Sequence, residues 1–190
     1  TDNLLDNLDY VEIDGKYVDY IVQVEAIGEQ SGIVSGTTKI TRDPVGIKIA
    51  RNTAQLLDEL GYIVSDFSMQ TGAGGTSLAV ASEVKKIMIK KDVKAKFASG
   101  GITAYFVEML EEGLVKELYD VQCFDLEAVR SYRDNKNHLA MSSSKYANPY
   151  EDDVVVNNLD FVILGATEID LNFNVNVTTD SSGLLIGGSG

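Results

Sequence analysis

The sequence predicts an α/β fold, a mostly parallel sheet flanked by helices, with a β-hairpin-rich C-terminal part. Two observations carry this. In the middle of the chain, a short β-branched or aromatic run, a glycine turn and a stretch of helical spacing follow one another twice, and a further strand and helix come after them, the order that sets parallel strands beside crossover helices. Toward the C-terminus the apolar period shortens to two, as in antiparallel hairpins. At 190 residues and 44% hydrophobic, the chain supports one sizeable core and reads as a single domain over 1–190, with 1–18 as a polar lead-in.

Charge narrows the partners. Sixteen Lys and Arg against 29 Asp and Glu give a formal charge of −13, which excludes a phosphate backbone as the expected partner, so no nucleic acid. No apolar run approaches the ~18 residues of a membrane helix, so no membrane. The acidic start TDNLLDNLDY is no signal peptide. The single Cys123 fits a reducing cytoplasm, and with the single His138 it is too little for a structural zinc site.

After a turn at Asp14-Gly15, residues 19–27 (DYIVQVEAI) read as a strand. The loop 31–43, SGIVSGTTKITRD, follows. Its hydroxyls on Ser35, Thr37 and Thr38 and its cations Lys39 and Arg42 suit a carboxylate substrate, or equally a surface turn with scattered charge. Asp43-Pro44 opens a helix, Asp as N-cap and Pro at the first position. Its apolar face is Ile47, Ala50, Ala54, Leu57 and Leu60, and Gly61 closes it.

Residues 62–80, YIVSDFSMQTGAGGTSLAV, form the most informative stretch. A strand over Tyr62, Ile63, Val64 and Phe67 leads through Gly72-Ala73-Gly74-Gly75-Thr76 into a helix over 76–90. Glycines bare the peptide N–H groups, and the helix dipole adds to them, so the loop suits an anion or a carbonyl oxygen. It suits equally a tight turn that binds nothing, since neither the dinucleotide nor the P-loop spacing is met. Lys85, Lys86, Lys90, Lys91, Lys94 and Lys96 form a basic cluster, either a phosphate-attracting patch or a solvated helix end. Residues 94–98 form a strand ending in Ser99-Gly100-Gly101, 105–112 a helix stopped by Gly113, 118–121 a strand and 125–133 a helix. Sites in such sheets gather at the carboxyl ends of strands, where both glycine runs fall.

A loop spans 135–149, residues 161–164 are a buried-type strand, and 168–171 with 175–178 make a hairpin around Asn172-Phe173-Asn174. Glu168 and Asp170 share one strand face, more in keeping with a structural or solvated role than with acid–base work. Ser142, Ser143 and Ser144 have no neighbouring base. The chain closes on Gly187-Gly188-Ser189-Gly190, a linker or a second glycine loop.

Five stretches in order, SGTTKITRDPV, FSMQTGAGGTSLAV with MLEEG, NHLAMSSSKYANP, GATEIDLNFNVN and GGSG, resemble the family I CoA transferases. They are most similar to the citrate lyase α-subunit family, its citrate CoA-transferase component. The resemblance covers the chain from about residue 19 and implies the CoA-transferase (NagB/RpiA-like) fold and a fragment of a longer subunit, its second transferase domain. It implies acyl exchange on a thioester, acetate on the lyase's acyl carrier protein being replaced by citrate. No covalently bound cofactor is implied; CoA or phosphoribosyl-dephospho-CoA thioesters are substrates. The implied partners are the acyl carrier protein (γ subunit) and the β subunit, in an oligomer, with citrate and acetate as small molecules. Alternatives within this reading are an acyl-CoA hydrolase and a non-catalytic docking fragment.

Exchange of this kind passes through anionic tetrahedral species, which backbone donors stabilise. The expected donors are Gly72, Gly74 and Gly75 with Gly188 and Gly190. Substrate contacts are expected from Ser35, Thr37, Thr38, Arg42, Thr76, Gly100, Gly101 and Asn174. One departure matters. Counting back from MLEEG, the H-T-E run of the covalent transferases falls on Ala98-Ser99-Gly100, so glycine stands where they carry their nucleophilic Glu. Without a carboxylate no enzyme anhydride can form, and direct attack by citrate is expected.

Overall fold

The structure, a computed structural model, describes residues 14–29 and 38–185. Asp14 accepts the Lys16 amide and starts a 3₁₀ turn at Gly15–Tyr17, the expected turn. Residues 19–27 form no strand. They lie against no sheet edge, with Tyr20 90% and Ile27 98% exposed. β-Branched composition fits a strand only where a neighbouring strand completes its hydrogen bonds, and among the described residues none pairs with this run.

Helix α1 (Pro44–Glu59) begins as its sequence requires, the Asp43 carboxylate accepting the Gly46 amide at 2.7 Å. Ala50, Ala54 and Leu57 are buried, whereas Leu60, at the C-cap, is 62% exposed. Strand β1 is Ser68–Thr71, not the apolar run before it; Ile63 and Phe67 are buried as core plugs in the connection. Helix α2 (Gly75–Lys91) follows the glycine loop. Strand β2 (Ala95–Ile102) continues through Ser99, Gly100 and Gly101, so these glycines are strand residues rather than a turn after the strand. Helix α3 (Ala104–Glu111), strand β3 (Val115–Cys123) and helix α4 (Leu126–Asp134) complete the repeating unit. The expected loop 135–149 contains strand β4 (His138–Ala140) and helix α5 (Ser143–Ala147). Strand β5 is Phe161–Ile163, and strands β6 (Glu168–Ile169) and β7 (Val175–Asn176) form the expected hairpin.

The five-stranded sheet runs β4-β3-β2-β1-β5 with every pairing parallel. Side chains alternate across it. Met69, Ala98 and Leu118 face the larger core, with Ala54, Val84, Met88 and Phe106 from helices α1 to α3. Phe97 and Tyr119 face the other side, stacked at 4.7 Å and packed with Met141 and Val155. The chain thus adds β2, β3 and β4 outward on one side of β1 and then returns to lay β5 on the other. That reversal makes the carboxyl ends of β1 and β5 a topological switch point, where open sheets of this kind form their crevice.

Candidate functional site

A cavity of about 600 Å³ opens at this switch point. Gln70 to Gly74 and Ser77 line it from the end of β1 and the start of α2. Gly100 and Gly101 line it from β2, Val121, Gln122 and Phe124 from β3, Tyr146 from α5, and residues 164–167 with Val177 close the far side. Among the described residues on this lining there is no carboxylate, no cation and no histidine.

Two features of β2 open the floor. Gly100 adopts φ +106°, a conformation side chains disfavour, and the pairing of β2 with β3 slips by one residue between Gly100 and Gly101. At Gly101 an added Cβ would fall 1.6 Å from the Phe124 ring. At Gly100 it would fall 3.2 Å from the Gln70 side chain. The Gln70 amide therefore stands against the place where a side chain at position 100 would begin.

The glycine loop serves more than one purpose. The Gly72 amide donates to the Ile163 carbonyl at 2.8 Å, tying β1 to β5, so that N–H is not open to a ligand. Gly74 is the N-cap of α2 and makes no side-chain cap bond; Gly74 and Ser77 both line the cavity at a helix N-terminus that keeps its donor capacity. Gly75 faces away. A Cβ there would lie 2.9 Å from the Lys39 carbonyl, and its own carbonyl accepts the Thr41 amide, so glycine here lets residues 39–41 approach. Thr76 is turned toward α1, its hydroxyl near Gly46.

Of the expected substrate contacts, Gly100 and Gly101 are on the lining, and Thr38, Arg42 and Thr76 are not. Asn174 is not either. Its amide and side chain both bond Asp170, and it caps the exposed tip of the β6–β7 hairpin. Asp170 and Glu168 are structural, Glu168 accepting the Ser181 amide at 2.8 Å. Ser35, Thr37, Gly188 and Gly190 lie outside the described residues. The basic cluster is drawn into ion pairs at Lys85, Lys86 and Lys91.

Asp120, Cys123 and His138 meet beneath β3 and β4. Asp120 Oδ2 accepts the Cys123 thiol at 2.8 Å and lies 3.1 Å from His138 Nε2, while His138 Nδ1 contacts Ser131 Oγ at 3.0 Å. Two of these separations are shorter than the roughly 3.5 Å between ligand atoms sharing a tetrahedral zinc ion. The cluster is a packed hydrogen-bond triad that locks β3 to β4. Burial, together with the Asp120 contact, pushes the Cys123 thiol up to about 12. His138 is buried, with both ring nitrogens in contact with polar partners.

The family model for the alpha subunit of citrate lyase (CitF) matches residues 1–190. The chain belongs to the citrate lyase alpha subunit family. It is 45% identical over 178 residues to the citrate lyase alpha chain of Escherichia coli, covering 94% of this chain and 35% of that one. The alpha chain of Haemophilus influenzae is 46% identical over 173 residues, covering 91% and 35%. A crystal structure from Streptococcus mutans, described as the alfa subunit of citrate lyase in complex with citrate, superposes with a TM-score of 0.83 at 46% identity, covering 90% of this chain and 34% of that one. The chain thus spans about a third of the length of the relatives it matches.

In this citrate lyase alpha family member two polar residues that are not among the expected site residues, Gln70 and Tyr146, line the cavity. Gln70 is only 8% exposed, and its Oε1 accepts the Tyr146 hydroxyl. Burial raises the Tyr146 pKa, with the Gln70 contact acting the other way, so the phenol stays protonated as a donor. Gln70 opens the QTGAGG run, so its place beside the glycine loop is visible in the sequence. Tyr146 depended on the unrecognised helix α5.

Proposed function

We propose that this segment forms the transferase site of a citrate lyase alpha subunit, exchanging acetate for citrate on an acyl thioester. A carboxylate oxygen of citrate adds to the acetyl carbonyl; the C–S bond then breaks, leaving a mixed anhydride and a thiolate. The thiolate adds to the citryl carbonyl of that anhydride, the C–O bond breaks, and acetate departs. Electrons balance without an oxidant or reductant, and no net proton moves. Each addition places negative charge on a carbonyl oxygen, which neutral donors fixed in a dry cavity stabilise by ~3 kcal/mol apiece. Gly74 and Ser77 at the start of α2 offer such donors.

The single observation that supports the direct route is the composition of the cavity: no carboxylate among its described lining residues, and Gly100 where a covalent transferase places its Glu. The citrate named with the Streptococcus mutans relative supports citrate as the acid. The acyl carrier protein and the β subunit follow as partners of the longer protein.

The test is to incubate the full-length subunit with acetyl-CoA and citrate, follow citryl-CoA and acetate, and treat the turning-over enzyme with borohydride. Citryl-CoA with an unmodified chain is the expected result. A reduced glutamyl residue would overturn the direct route, and absence of citryl-CoA would overturn the exchange itself.

A further inference from the structure

We infer that Gln70 is the side chain that receives the thioester oxygen, and that Tyr146 is its positioning residue. This deepens the exchange reading and rests on it. The two ends of the Gln70 amide have different tasks. Oε1 faces the Tyr146 hydroxyl and accepts from it, which turns Nε2 toward Gly100. Nε2 carries the two N–H groups, and they donate to no atom of the described residues. Nε2 lies 3.3 Å from the place a Cβ would take on Gly100, over the floor that the glycine leaves open.

Three conditions make this a site rather than a satisfied core amide. Gln70, Gly100 and Tyr146 all line the same cavity. The amide is nine-tenths buried, so its orientation is set by packing and not by solvent. The surroundings carry no ionised side chain among the described residues, so a neutral donor acts there at close to its full strength. A carboxylate in the same position would repel the charge that forms. With its oxygen turned to Tyr146, the amide presents its N–H groups to the cavity.

The thioester carbonyl accepts from Nε2, and the bond strengthens as the oxygen becomes an oxyanion. Tyr146, bonding the far end of the amide, prevents it from turning its oxygen toward the substrate.

The experiment uses the full-length subunit with acetyl-CoA and citrate, measuring citryl-CoA formation and the thermal melting curve of each variant. Gln70→Ala should lower kcat by about 100-fold with the citrate KM within threefold. Gln70→Glu keeps the volume and should lose at least as much with an unchanged melting curve, which separates chemistry from folding. Tyr146→Phe should lower kcat about tenfold and have no further effect in the Gln70→Ala background. A Gln70→Ala enzyme within threefold of the unaltered kcat overturns the assignment, as do Tyr146→Phe and Gln70→Ala losses that simply multiply. An unaltered subunit that forms no citryl-CoA overturns the exchange reading instead, and this assignment with it.

Discussion

The Asp125 carboxylate accepts the Ala104 amide at 2.7 Å through Oδ2, while its Oδ1 accepts the Ala128 amide at 2.9 Å. One residue thus caps its own helix, α4, and also the first turn of α3, whose N-cap Thr103 makes no side-chain cap bond. Replacing Asp125 by Ala leaves one buried donor, the Ala128 amide, and one part-buried donor, the Ala104 amide, without acceptors. The expected loss is about 2–3 kcal/mol in urea unfolding, and Asp125→Asn should lose less because one acceptor remains.

A second relationship holds the mouth of the cavity. Because a Cβ on Gly101 would enter the Phe124 ring, Gly101→Ala must displace that ring, which is 37% exposed and has room to swing. The expected cost is about 1–3 kcal/mol. Adding Phe124→Ala should recover part of it, giving a coupling energy above roughly 0.5 kcal/mol in a double-mutant cycle. Strict additivity in the unfolding midpoints would contradict the geometry.

Acid should act on the contact between α2 and α3. Lys85 Nζ bonds Glu108 at 2.6 Å and Glu112 at 2.8 Å. The hydrogen bond from Lys85 holds the Glu108 carboxyl below its usual value of 4.5. A carboxylate with a lowered folded pKa contributes stability that is present above 4.5 and disappears as pH falls through the folded value. Glu108 is largely solvated, so the contribution is below about 1 kcal/mol. The stability difference between the protein and its Lys85→Met variant should shrink below pH 4.5 and be constant from pH 6 to 8, as read from urea midpoints.

Cys123 should be unreactive. With its thiol pushed up to about 12 by burial first and by the Asp120 contact second, almost no thiolate exists near neutrality. Alkylation by iodoacetamide at pH 8 should run at least about 100-fold slower than for a free thiol. The sign in base is equally definite. A raised folded pKa contributes stability that is complete below the unfolded value of 9.0 and is lost as pH climbs toward 12. Cys123→Ser should show a weaker decline over that range.

The parts of the fold that could be read from the sequence are those specified locally. Asp43-Pro44, Gly61, Gly113 and Asp125 mark helix ends by their own chemistry, and the structure places those ends within a residue or two. The misread parts depend on distant partners. Strand β1 is the polar run Ser68-Met69-Gln70-Thr71, yet all four are buried. Ser68 is satisfied by Asp160, 92 residues away, and the oxygen of Gln70 bonds Tyr146, 76 away. Nothing local predicts that. The reverse holds at 19–27, an apolar run without a sheet to join. Gly100 and Gly101 look like a turn in sequence, but β3 pairs with both. The glycine motif lies at the end of the sheet where the cavity opens, whereas Gly75 and Thr76 pack against residues 39–46 and Asn174 bonds Asp170.

The uncharged lining of the cavity has one more consequence. A centre built from an amide, a protonated phenol and backbone donors has nothing to titrate. Its groups carry the same charge in mildly acidic as in mildly alkaline solution. Any change of charge with pH in this cavity must then originate in a bound molecule or in groups outside the described lining.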